Sequence, residues 1–296
     1  MKIGFIGLGQ MGKPMAINML KSGAELRVHS ADSRPYDELE RIGAKAVAHV
    51  VELVDSEFIF LCLPHGDVVR DVLFGEGGLA ARLRPGQIVI DTSTIAYQAT
   101  LEIAEKLRAI GVDFLDAPVS GMQARAENAT LTVMCGGERR AFERAEPLLR
   151  NVGTQILYMG PTGSGQLTKL VNQLLFDVHC AALAEILPMA VKLGLDAEQV
   201  GTVVNSGTGR SYASEFFVPR MLKRDFASGY PMRHAYKDLV SAAELGARLC
   251  IPMPVLAAAT VTYQHALLSG HGDQDKGAML LPFEQLLGVQ FRRGEH

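Results

Sequence analysis

The chain has 296 residues, 48% of them hydrophobic and 21% charged, with a formal net charge of -3. This is an ordinary globular composition, long enough for one large domain or two of about 150 residues. The charge balance gives no electrostatic case for a nucleic-acid partner. No HxxxH or HExxH spacing occurs, so no metal site is expected. Cys62, Cys135, Cys180 and Cys250 lie far apart and read as reduced thiols of a cytoplasmic protein. The apolar runs are interrupted by charges or by Pro188, Pro252 and Pro254, and an apolar strand begins at Ile3. Neither a membrane span nor a secretory signal is therefore expected.

In chain order, strands are expected at KIGFIG from Lys2, ELRVHS from Glu25, EFIFLCL from Glu57, QIVIDTS from Gln87 and DFLDAP from Asp113. Segments of helical length, such as 11–21 and 96–110, separate them. Continuous apolar strands alternating with helices predict a mainly parallel sheet covered on both faces. TLTVMCGG from Thr130 and TQILYMG from Thr154 read as further strands closing this unit. Beyond Gly165 helical periodicity dominates, with helices expected at 165–193, 196–205, 211–222, 232–248, 254–269 and 276–287. A βα half followed by an all-helical half implies two domains. The breakers of GPTG place the boundary between 1–162 and 163–296, with a long helix leaving the boundary itself.

The stretch FIGLGQMGKPMA places Gly7, Leu8, Gly9, Gln10, Met11 and Gly12 after the first strand and at the start of a helix. In that position the glycine spacing is a dinucleotide fingerprint of a doubly wound Rossmann domain. Gly7 permits the tight turn, Gly9 lets backbone approach a pyrophosphate, and Gly12 lets helix pack on strand. The position where an acidic residue would hold an NAD ribose falls on Ser30. His29, Ser30, Ser33 and Arg34 offer hydrogen bonds to a 2′-phosphate instead, which favours NADP over NAD. The alternative is a polar turn, with Asp32 still reaching the ribose. Leu63 and Pro64 lie at the end of EFIFLCL, and Ser93 and Thr94 at the end of QIVIDTS, at the strand ends where ligands bind in open α/β sheets.

GPTGSGQLTKLVNQLL puts one lysine, Lys169, into an otherwise apolar, small-residue helix. Asn172 and Gln173 follow at three and four residues and share its face. In apolar surroundings desolvation disfavours the ammonium, which suits a proton donor and acceptor. The alternative is a snorkelling lysine whose head reaches water. Glycines at 163 and 165 would let the helix start close against the dinucleotide-binding domain.

GFIGLGQMGKPMA, DAPVSGMQARAENATLTVMCGG, GPTGSGQLTKLVNQ and YKDL occur here in an order and spacing that resemble the β-hydroxyacid dehydrogenases. That family includes 3-hydroxyisobutyrate dehydrogenase and tartronate semialdehyde reductase. The resemblance runs from Lys2 to about Gly288. It implies a Rossmann domain, a long interdomain helix, a helical domain, and a homodimer or homotetramer. It also implies NAD(P)-dependent interconversion of a small 3-hydroxy acid and its semialdehyde or oxo acid.

Carried over residue by residue, it makes Lys169 the proton donor and acceptor and Asn172 and Gln173 the positioning amides. Ser120 and the backbone of Gly121 and Met122 would hold a substrate carboxylate, and Lys237 would lie near the nicotinamide, with Asp238 beside it. Leu63, Pro64 and Thr94 match cofactor contacts, and Tyr212 and Phe217 are candidates for further substrate contacts. Ser120 could equally be a polar turn residue, and Lys237 part of a solvated helix face. Two departures stand out: Met122 and Ala129 occupy positions where the family pattern has glycine. An imine reductase shares the N-terminal fingerprint but lacks the lysine, and a non-catalytic cofactor-binding module is the reading from another class.

Overall fold

The computed structural model describes residues 1–294, so the last two residues of the expected 163–296 domain lie outside it. The chain forms two compact units, Met1–Lys169 and Leu170–His296.

The first unit is built on nine strands: β1 (Lys2–Ile6), β2 (Glu25–His29), β3 (Lys45–Ala46), β4 (Phe58–Leu61), β5 (Ile88–Asp91), β6 (Asp113–Asp116), β7 (Val119–Ser120), β8 (Leu131–Gly136) and β9 (Gly153–Gly160). Their order is β3-β2-β1-β4-β5-β6-β8-β7, with β9 also paired to β8. The first six strands pair in parallel, and β8 runs antiparallel to β6 and β7 and parallel to β9. Every residue of β4 (FIFL) and β5 (IVID) is buried. Alternate residues serve opposite faces: Phe58, Phe60, Ile88 and Ile90 join one core cluster, whereas Ile59, Leu61 and Val89 join the other. That two-sided burial is why these strands read as unbroken apolar runs.

Helices α1 (Gly12–Lys21), α2 (Tyr36–Arg41), α3 (Gly66–Phe74), α4 (Tyr97–Ala109), α5 (Met122–Glu127) and α6 (Arg139–Leu149) connect the strands. The seven expected strands are all present. β3 and β7 escape sequence reading because two residues carry no periodicity.

Helix α7 (Ser164–Lys192) runs for 29 residues and carries the end of the first unit into the second. The helix expected over 165–193 is present and continues through Pro188. By length and composition α7 could cross a membrane, with a mean hydropathy of 1.7 in its most apolar window. Its residues Cys180, Ala184 and Leu187 are instead packed into the core of the second unit.

That core is completed by α8 (Ala197–Ser206), α9 (Tyr212–Leu222), α10 (Met232–Leu249), α11 (Pro254–Leu268) and α12 (Leu280–Leu287). The segment expected as one helix over 276–287 opens with a 3-10 stretch, Lys276–Met279, before α12. The Asp275 carboxylate accepts the Gly277 N–H at 2.9 Å and fixes that tighter first turn.

A charged pair lies inside this helical core. Lys276 donates to the Asp177 carboxylate, and the Tyr263 hydroxyl donates to the same oxygen at 2.9 Å. The three residues are 3%, 0% and 0% exposed. The Lys276 ammonium also lies 4.4 Å from the centre of the Phe176 ring. Removing one partner leaves the other charge buried and uncompensated. Lys276→Met should lower the unfolding free energy by about 3–5 kcal/mol, and adding Asp177→Leu should recover most of that loss, since well-packed apolar replacements of buried pairs are often neutral. Urea unfolding of the two variants checks this. A double variant no more stable than the single one would contradict it.

Candidate active site

The glycine loop shows three different demands. Gly7 has φ +96, and a Cβ there would lie 2.2 Å from the Cys62 carbonyl oxygen. A Cβ on Gly12 would lie 1.8 Å from the Gly7 carbonyl oxygen. One on Gly9 would meet no atom within 4 Å, so that backbone borders open space. The first and third glycines thus serve packing, and the second leaves room for a ligand to reach the main chain. Met11 provides no side-chain cap to α1, and the first turn of that helix holds no acidic residue. Its N–H groups and dipole are available for phosphate oxygens. The residues fit a dinucleotide.

At the end of β2, His29 Nδ1 lies 3.1 Å from the Val47 carbonyl oxygen. The Ser30 N–H donates to the Tyr36 hydroxyl at 2.8 Å, and that hydroxyl donates back to the Ser30 carbonyl at 3.0 Å. Arg34 Nε donates to both carboxylate oxygens of Asp32, at 2.9 and 2.7 Å. This hydrogen bonding holds the Asp32 carboxyl below its usual range and raises the guanidinium. The Arg34 side chain is 88% exposed and remains accessible to a phosphate.

The loops after β4 and β5 are joined to each other and to the start of α7. The Leu63 N–H donates to Ser93 Oγ at 2.8 Å, and the Ser93 N–H to Asp91 Oδ1 at 2.9 Å. Pro64 follows Leu63, and Thr94 lies between Ser93 and Ile95. Asp116, at the end of β6 and fully buried, receives the Gly163 N–H on Oδ1 at 2.7 Å and the Gln166 N–H on Oδ2 at 2.9 Å. Burial pushes its carboxyl up to about 6 against the pull of these donors. A Cβ on Gly165 would lie 2.3 Å from the Met134 carbonyl oxygen and 2.5 Å from that of Asp116, so only glycine permits this approach. Lys169, one turn further along α7, is 9% exposed. On the same helix Asn172 is exposed and Gln173 half-buried.

Ser120 ends β7, opposite Thr132 of β8. Gly121 has φ +141 and Met122 φ +60. Ala129, at the other end of the same short segment, has φ +54. Both non-glycine residues therefore keep the left-handed backbone that a glycine would adopt without strain.

In the helical unit Lys237 and Asp238 lie in α10, the first half-buried and the second 8% exposed. Tyr212, 52% exposed, begins α9 and stacks near Phe216. Phe217 departs from its expected role: it is 2% exposed and stacked on Phe176, 6.0 Å between ring centres, within the helical core. Its aromatic bulk is used for packing, and no open face remains for a substrate.

Sequence reading missed Asp116, Gln166 and the part played by Ser93 Oγ. Gln166 carried the same signal as Lys169, a polar side chain in an apolar, small-residue segment. Asp116 was visible only as the head of DAPVSG.

The strained pair gives a direct check. A left-handed conformation costs an L-residue about 1–2 kcal/mol, part of which glycine's greater unfolded-state entropy cancels. Ala129→Gly should therefore raise the unfolding free energy by about 0.5–1 kcal/mol, whereas glycine usually weakens a structure. Met122→Gly should move the same way. Denaturant titration measures both, and a loss of stability at Ala129 would contradict the argument.

Residues 2–160 match the family model described as the NAD binding domain of 6-phosphogluconate dehydrogenase. Residues 163–283 match the model described as NAD-binding of NADP-dependent 3-hydroxyisobutyrate dehydrogenase. The chain is 37% identical to 2-(hydroxymethyl)glutarate dehydrogenase of Eubacterium barkeri, over 99% of this chain and 98% of that protein. It is 34% identical to 2-hydroxy-3-oxopropionate reductase of Escherichia coli, over 96% and 97%. Among solved structures, a 3-hydroxyisobutyrate dehydrogenase from Salmonella typhimurium superposes with a TM-score of 0.86 at 30% identity, covering 95% of this chain and 99% of that one. Taken with the glycine loop and the strand-end loops beside it, these matches make the chain a member of the β-hydroxyacid dehydrogenase family of NAD(P)-dependent oxidoreductases.

Proposed function

We propose that the protein interconverts a small 3-hydroxy acid and its semialdehyde or oxo acid, with Lys169 as the general acid and base. The observation that carries this reading is Lys169 itself, 9% exposed and one turn beyond a helix start fixed by a buried carboxylate. The relatives named for 2-(hydroxymethyl)glutarate and 2-hydroxy-3-oxopropionate support the substrate class.

A nicotinamide held there would supply a hydride to the carbonyl carbon or accept one from the carbinol carbon. In reduction the carbonyl oxygen gains electron density as its carbon receives the hydride, and the Lys169 ammonium gives that oxygen a proton. In oxidation the neutral amine takes the hydroxyl proton. Asn172 and Gln173, at three and four residues on the same helix, hold the oxygen within reach of the amine. Ser120 and the N–H groups of Gly121 and Met122 hold the substrate carboxylate, with Tyr212 and Asp238 bordering the substrate. Lys237 serves the cofactor side.

Gly7 to Gly12, Leu63, Pro64 and Thr94 hold the dinucleotide. Arg34, with His29 and Ser30 beside it, favours NADP, because a 2′-phosphate is a better partner for an exposed guanidinium than a ribose hydroxyl. The protein works in the cytoplasm as a homodimer or homotetramer, with no nucleic-acid or membrane partner. The exposed apolar residues Val171, Leu175, Ile186 and Met189 of α7 support self-association.

The test is an assay of short semialdehyde acids and their 3-hydroxy acids, with NADPH and NADH in parallel, on the parent protein and on Lys169→Ala. Lys169→Ala should lower kcat roughly 10²–10⁴-fold, the usual contribution of a positioned acid, and leave cofactor binding near that of the parent. Full turnover by the variant contradicts the assignment, and equal rates with both cofactors contradict the preference for NADP.

A further inference from the structure

Gln166 links the loop after β5 to the start of α7. Gln166 is 3% exposed, and its side-chain amide spans the backbone of the loop after β5. Its Nε2 donates to the Ser93 carbonyl at 2.7 Å, and its Oε1 accepts the Ile95 N–H at 3.3 Å. Thr94, the residue between them, is the one assigned to the cofactor. The same loop receives the Leu63 N–H on Ser93 Oγ at 2.8 Å, which extends the connection to the loop after β4. On the other side, the Gln166 N–H is anchored on Asp116 at 2.9 Å. Lys169 follows Gln166 by three residues, on nearly the same face of α7.

From this we propose that Gln166 is a positioning residue, which sets the register between the Thr94 loop and Lys169 and so between cofactor and proton donor. The inference rests on the reading of Lys169 as the acid and base. A buried amide that satisfies two backbone groups could do no more than stabilise the fold. Gln87 is the internal comparison for that case. Its Nε2 donates to the Val54 and Ser56 carbonyls at 2.7 and 2.6 Å, and its Oε1 accepts the Arg84 N–H at 2.5 Å. It makes the same kind of backbone clamp, but it precedes β5, at the opposite ends of the strands from the glycine loop. What distinguishes Gln166 is what its clamp holds. The distance from a cofactor loop to a proton donor is a quantity that catalysis reads steeply, since a misplacement of about 1 Å can cost 10²-fold in rate.

The experiment compares Gln166→Met, which keeps the length of the side chain and deletes its hydrogen bonds, with Gln87→Met. Each is made in the parent protein and, for Gln166→Met, also in Lys169→Ala. Steady-state kinetics with NADPH and thermal unfolding are measured on all of them. Gln166→Met should lower kcat roughly 10–100-fold and raise the KM for cofactor severalfold in the parent. In the Lys169→Ala background it should raise the cofactor KM again but cost little further kcat, because the group it positions is gone. Gln87→Met should destabilise the protein and leave both kinetic constants within about twofold of the parent, as expected for a clamp remote from the site.

If the two glutamine variants behave alike, or if Gln166→Met lowers kcat by the same factor with and without Lys169, the positioning role is overturned. Full kcat in Lys169→Ala alone overturns the acid/base reading instead, before any glutamine variant is considered. Gln166→Glu covers the case in which the methionine variant does not fold. A protonated carboxyl offers one donor and one acceptor, as the amide does, and an ionised one offers no donor. Asp116 and Asp91 are the carboxylates hydrogen-bonded into the same network, and Lys169 is the cation on the same helix. The activity of Gln166→Glu relative to the parent should therefore recover as pH falls. A ratio that stays flat with pH overturns the proposal.

Discussion

Asp116 is the fixed point of the catalytic unit. A fully buried carboxylate at the end of β6 takes the N–H of Gly163, just before α7, on one oxygen and that of Gln166, in its first turn, on the other. The interaction satisfies amides that a helix start leaves without partners, and it meets the positive end of the helix dipole with negative charge. The close approach it requires explains the glycines of GPTGSG: Gly163 with φ +91, and Gly165 with no room for a Cβ. The first turn of α7 cannot shift without breaking a buried hydrogen bond to a charged group, which is among the costlier ones to lose. Everything assigned to α7, from Gln166 to Lys169, inherits its position from that joint.

The second constraint is backbone conformation in the segment proposed to hold a substrate carboxylate. Met122 and Ala129 depart from the glycines of the family pattern, yet the main chain keeps the left-handed geometry at both. The N–H of Met122 is therefore presented as a glycine would present it. What changes is the side chain attached beside it, and such changes alter which substrate fits more readily than they alter the reaction. The strain is local and small against the stability of a domain, and sites of ligand capture are where strained backbone is commonly kept.

Much of this was legible in the sequence because the physics is local. Continuous apolar runs gave β4 and β5, since both faces of the sheet are covered. Glycine spacing gave the phosphate loop, since a turn and two close approaches demand it. The odd lysine in an apolar helix pointed to a buried position, and Lys169 is 9% exposed. What stayed hidden depends on tertiary pairing. Asp116 and Gln166 are separated by 50 residues and acquire meaning only when β6 and α7 meet. Phe217 was misjudged because a phenylalanine in a helix looks the same in sequence whether it lines a site or fills a core. The Asp177 and Lys276 pair, 99 residues apart, had no sequence signal at all.

The central claim is that the Lys169 amine itself moves the proton. The measurement that tests it most directly is chemical rescue of Lys169→Ala by a small primary amine, following cofactor oxidation with a reducible semialdehyde acid. The account predicts that ethylamine restores turnover in proportion to its concentration, and that a tertiary amine too large for the space left by the side chain does not. Turnover of the variant that stays at the same low level across the ethylamine series would contradict it.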